Sequence, residues 1–67
     1  MKLSKDQIEA MKLMKNKPAG FHEFCRLGIY GSTIGSLVRK GLAHRIVDGR
    51  FWLTELGHAE LDARVGE

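Results

Sequence analysis

After Gly41 the apolar residues stop recurring at helical spacing and begin to alternate, and Asp48-Gly49 interrupts the alternation. Leu42, His44 and Ile46 interleave with Ala43, Arg45 and Val47, and Arg50 to Thr54 follows. An Asp-Gly pair between alternating segments predicts a two-residue hairpin turn. Centred there, it sets Val47 opposite Arg50, Ile46 opposite Phe51, Arg45 opposite Trp52 and His44 opposite Leu53. Cross-strand partners share a face. Leu42, His44, Ile46, Phe51 and Leu53 then form the core face, and Ala43, Arg45, Val47, Arg50 and Trp52 look outward.

The segments around the hairpin carry a helical period. Ser4 and Gln7 form a capping-box pattern after Leu3. Ile8, Met11 and Met14 then recur on one side, widened by Ala10 and Leu13, and Lys5, Lys12 and Lys15 fall opposite. This predicts a helix over residues 4–15, ended before Pro18 and Gly20. A short helix over 21–27 buries Phe21, Phe24 and Cys25, and Gly28 takes positive φ after it. Ile34, Leu37 and Val38 predict a third helix over 31–40, with Arg39 and Lys40 favourable in its last turn and Gly41 as its cap. Thr54 caps a last helix over 55–64 with Leu56 and Leu61 turned inward. Gly57 in its first turn costs about 1 kcal/mol relative to Ala, which close packing on a neighbour would explain.

A chain of 67 residues is one domain, near the lower limit for a single apolar core. It leaves little room for a catalytic cleft. One cysteine, Cys25, cannot form an internal disulfide. The N-terminus lacks a signal-peptide run, and no stretch approaches a membrane span. A cytoplasmic protein without membrane contact is expected. Residues 1–50 hold ten Lys or Arg against Asp6, Glu9, Glu23 and Asp48; residues 51–67 hold Arg64 against Glu55, Glu60, Asp62 and Glu67. A body of +6 with an end of −3 suits a polyanionic partner on one side.

Helix, helix, turn, helix, hairpin and helix is the order of a helix-turn-helix with a wing. The stretch from Leu27 to Arg45, LGIYGSTIGSLVRKGLAHR, resembles the turn, recognition helix and first wing strand of winged-helix transcription regulators, including the DNA-binding cores of the MarR and PadR families. FWLTELGHAEL resembles their second wing strand and following helix. Leu37 four residues before Gly41-Leu42, and Leu53-Thr54 with Gly57 and Leu61, carry the likeness. Tyr30 stands where these regulators usually have Ser, Thr or Asp. Gly35 interrupts the helix, and the long dimerisation helices of the MarR family are absent.

The resemblance implies an α+β winged helix-turn-helix over residues 1–67. It has a three-helix core, a hairpin wing of two or three strands and a C-terminal helix. The implied function is that of a small DNA-binding transcriptional regulator or accessory factor, with double-stranded DNA as partner. The residues support this independently. A major groove about 12 Å wide admits one helix, and burying Ile34, Leu37 and Val38 frees Gly31, Ser32, Gly35, Ser36 and Arg39. Tyr30 and Thr33 flank them. Ser and Thr hydroxyls suit bases or phosphates, Arg39 suits guanine, and Lys40 suits a phosphate. Arg45 and Arg50 suit the flanking backbone or minor groove.

A module this small calls for a homodimer or a protein partner to add affinity. The alternative is a winged-helix protein-interaction module without DNA binding, with Trp52 and Val47 as its surface. His22 and Cys25 are too few for a metal site, and His44 and His58 lack zinc-type spacing. No phosphate loop follows a strand, and no carboxylates cluster. A binding protein without cofactor or metal, and not an enzyme, is therefore expected.

Overall fold

The ends of the helices are set by a few side-chain and glycine caps, and these caps fix how the hairpin meets the core. A computed structural model describes residues 2–46 and 48–64. It is a small α+β fold of four helices and a two-stranded antiparallel sheet. Helix α1 spans Lys5–Met14. The Ser4 hydroxyl accepts from the Gln7 backbone N–H at 3.2 Å, and the Gln7 amide oxygen accepts from the Ser4 N–H at 2.7 Å. Its buried stripe is Ala10, Met11 and Met14, with Ile8 and Leu13 half-buried beside it.

Helix α2, Phe21–Arg26, has only six residues and presents one position, Phe24, fully to the core. Phe21 and Cys25 are exposed, contrary to expectation. Phe21 instead lies edge-on against Phe51, with ring centroids 5.3 Å apart. Helix α3 is Gly31–Arg39 and buries Ile34 and Leu37. Val38, one residue or about 100° further round the helix, is 38% exposed rather than buried.

Both α2 and α3 end in the same glycine cap. Gly28 and Gly41 have φ of 74° and 78°. Gly28 N–H donates to Cys25 O and Ile29 N–H to Phe24 O; Gly41 N–H donates to Val38 O and Leu42 N–H to Leu37 O. Each cap satisfies two terminal carbonyls and turns the next apolar residue, Ile29 or Leu42, into the core.

Strands β1 (Ala43–Arg45) and β2 (Phe51–Leu53) pair one residue out of the expected register: Ala43 faces Leu53, His44 faces Trp52 and Arg45 faces Phe51. Three residues of sequence, not two, separate Ile46 from its partner Arg50. Ile46 N–H donates to Arg50 O at 2.8 Å, Gly49 N–H donates to Ile46 O at 3.1 Å, and Gly49 has φ 84°. That is a turn closed by a positive-φ glycine, which shifts the pairing relative to a two-residue turn. Because strand side chains alternate, the shift turns β1 over. The buried face is Ala43, Phe51 and Leu53, so Ala43 is not outward as expected; Arg45 lies on this same side opposite Phe51, exposed at its end rather than beside Trp52, and His44 is exposed rather than on the core face. Leu42 stays buried because the α3 cap directs it. Val47, expected opposite Arg50 and outward, lies outside the described residues.

The option of a third strand is met by a single antiparallel bridge. Ala19 and Phe51 exchange both backbone hydrogen bonds at 2.8 Å, so β2 lies between β1 and the chain leading into α2. Helix α4, Glu55–Asp62, begins at Thr54, whose hydroxyl accepts from Gly57 N–H at 3.0 Å and donates to Gly41 O at 2.6 Å. Leu61 is buried, but Leu56 is 49% exposed, because α4 meets the sheet through Gly57. A Cβ on Gly57 would collide with the Leu42 carbonyl oxygen and lie 2.8 Å from Leu53 Cδ1. The close approach anticipated from the sequence is therefore present.

Candidate nucleic-acid interface

Helix α3 packs on α1 and β1, and these contacts decide which of its side chains remain free. Tyr30, at its N-cap, is 73% exposed, and Ser32, two residues on, is exposed as well. Thr33 is half-buried. None of the three hydroxyls has a hydrogen-bond partner among the described residues. A Cβ on Gly35 would meet nothing within 4 Å, so the middle of this helix offers bare backbone to whatever approaches.

Ser36 differs from its expected place on the free face. It is half-buried, and its Oγ accepts a 2.9 Å hydrogen bond from Gln7 Nε2 across the α1–α3 contact. Gln7 thus caps α1 with its oxygen and clamps α3 with its nitrogen. The capping role was legible from spacing; the clamp was not. An amide's spare donors are the only local signal that such a bond is available.

The cations divide into held and free. Lys12 pairs with Glu9, Lys15 with Asp62, Arg50 with Asp48 and Arg64 with Glu60. Arg39, Lys40 and Arg45 are exposed and form no ion pair among the described residues. They occupy the last turn of α3, its cap and β1, on consecutive elements joined at Gly41. Tyr30 marks the opposite end of a helix about 13 Å long. The first turn of α3 contains no acidic residue.

Arg50 is oriented by its own turn. Its Nε and one terminal nitrogen donate to Asp48 Oδ2 at 2.8 and 2.6 Å, and its backbone N–H donates to Asp48 Oδ1 at 3.2 Å. These bonds hold the Asp48 carboxyl below its ordinary range and raise Arg50 further. A guanidinium has five N–H donors, so an oriented group with donors to spare remains. Its stem passes Gly20, whose added Cβ would sit 3.3 Å from Arg50 Cγ.

Trp52 is 46% exposed on the outward face, as expected, but its neighbour across the sheet is His44 and not Arg45. The two rings meet edge to face, 5.2 Å apart. His22 and Cys25 are both exposed, and among the described residues no three His, Cys, Asp or Glu side chains gather as a metal site. Among the described residues no helix is long and apolar enough to cross a membrane. Comparison of the chain with protein-family models, curated proteins and solved structures finds no match.

Proposed function

We propose that the chain is a small winged-helix DNA-binding protein acting in transcription regulation. Helix α3 enters the major groove and the hairpin lies along the phosphate backbone. A cytoplasmic, non-enzymatic role belongs to the same reading. One observation carries it: Arg39 and Lys40 at the end of α3, and Arg45 on the strand that follows, are exposed and form no ion pair among the described residues, and the free face of α3 is made of small residues without carboxylates. Unneutralised cations next to a smooth helix face suit a polyanion whose groove is about as wide as a helix. Tyr30 and Ser32 lead the helix, Thr33 flanks it, and the donors of Arg50 not used by Asp48 reach the flanking phosphates. Ser36 supports α3 through Gln7 in this reading and makes no base contact.

Fluorescence anisotropy with a labelled mixed-sequence duplex tests it. Arg45→Ala is expected to lower the slope of log affinity against log salt by about one unit. Lys15→Ala, which removes a cation already paired with Asp62, is expected to change it less. Equal effects of the two substitutions count against the docking mode.

A second reading, a protein-interaction module, is favoured by the outward Trp52–His44 ring pair. Salt-independent binding of a protein partner that Trp52→Ala abolishes, with no duplex affinity, would select it.

A further inference from the structure

The free stripe of α3 is short of side chains that tell one base from another. Ser32, Gly35 and Arg39 stand three and four residues apart, so they share one side of the helix, away from the buried Ile34 and Leu37. From Ser32 to Arg39 the stripe is about 10 Å long, or roughly three stacked base pairs. Val38 falls only about 40° round the axis from Ile34, at the edge of the buried side.

Readout in the major groove needs a directional pattern. Adenine is read by Asn or Gln, which donate and accept at once, cytosine by Asp or Glu, and guanine by donors on its O6 and N7. Helix α3 contains no Asn, Gln, Asp or Glu. The amide of Gln7, across the α1–α3 contact, is engaged at both ends, its oxygen by the Ser4 N–H and its nitrogen by Ser36. The Ser32 and Thr33 hydroxyls rotate and both donate and accept, so they satisfy any edge and select none. Arg39 remains. It is exposed, forms no ion pair among the described residues, and carries donors alone. Arg45 and Arg50 belong to the flanking hairpin, where a minor groove separates only A·T from G·C.

We propose that this chain selects its duplex by form and charge, and that the one base it discriminates is guanine, read in the major groove by Arg39. This rests on the docking of α3 described above and narrows the partner to duplex DNA of little defined sequence. One bidentate arginine–guanine contact discriminates by about five- to hundredfold, against roughly a thousandfold or more for a sequence-specific site.

Fluorescence anisotropy at one moderate salt tests it with three alternating duplexes of equal length: guanine–cytosine, hypoxanthine–cytosine and adenine–thymine. Hypoxanthine keeps the O6 and N7 of guanine but lacks its minor-groove amino group. The first two duplexes are expected to bind alike, and about five- to hundredfold tighter than the third. Arg39→Ala, at an exposed site, is expected to bring the three affinities together, whereas Lys40→Ala weakens all three by the same factor. Equal affinities in the unaltered protein, or a preference that survives Arg39→Ala, overturn the guanine assignment and leave DNA binding in place. Hypoxanthine grouping with adenine–thymine overturns it as well, by moving the contact to the minor groove. A sequence drawn from a random pool that binds over about a thousandfold tighter than the pool overturns selection by form and charge. No affinity for any of the three at low salt overturns the DNA reading itself, and this inference with it.

Discussion

Two glycines in helices have opposite reasons for being there. At Gly57 an added Cβ would strike the Leu42 carbonyl and Leu53, both backed by the core. Gly57→Ala is therefore expected to destabilise the protein by about 1–3 kcal/mol despite the better helix propensity of alanine. At Gly35 nothing lies within 4 Å of the added atom. Gly35→Ala should gain up to about 1 kcal/mol, raising Tm by several degrees in a chain of this size. Thermal unfolding followed by circular dichroism separates the two, and equal signs would contradict the packing described. The sequence marked Gly57 as costly and named close packing as its explanation, because a glycine in a first helical turn invites that question. It was silent on which atoms press against it, since the Leu42 carbonyl comes from a distant turn.

At the scale of elements, capping was the most legible level and faces were the least. Ser4 and Thr54 each start a helix, and Gly28 and Gly41 each end one, as their local chemistry requires, within a residue or two of the expected bounds. Inward faces were misjudged at Phe21, Val38 and Leu56 because short helices bury a narrower stripe than apolar spacing suggests. The hairpin was legible in place but not in register: a shift of one residue turns β1 over and puts His44 beside Trp52. Nuclear Overhauser contacts between the His44 and Trp52 rings are the expected signature. Contacts between Arg45 and Trp52 instead would restore the two-residue turn.

Two element ends also depend on carboxylates. Backbone N–H bonding, from Gly20 first, holds Glu23 below its ordinary value, and the Arg50 bonds do the same for Asp48. Groups depressed by folding stabilise fully above their unfolded values, about 4, and lose that contribution as pH falls through the lower folded values. Tm is expected to drop on acidification below pH ~4, and Glu23→Gln should flatten part of that drop. An unchanged acid limb in the variant would mean that the α2 cap does not form.

The whole molecule combines a small core, centred on Met11, Met14, Phe24, Ile34, Leu37, Leu42 and Leu61, with an uneven distribution of charge. Counting charges along the sequence located the basic body but could not tell held cations from free ones, because Asp48–Arg50 and Lys15–Asp62 depend on where the chain folds. Among the described residues that sorting leaves Arg39, Lys40 and Arg45, at the end of α3 and on the strand after it, without an ion pair, and it moves Ser36 from the expected free face of α3 to the α1 contact. The most direct test of the central claim is an amide NMR titration of the labelled protein with a short mixed-sequence duplex at low and moderate salt. Shifts clustered in residues 30–40 and 45–52 that shrink as salt rises are the predicted result. A spectrum that does not move at low salt, or one whose shifts fall outside those residues, would contradict it.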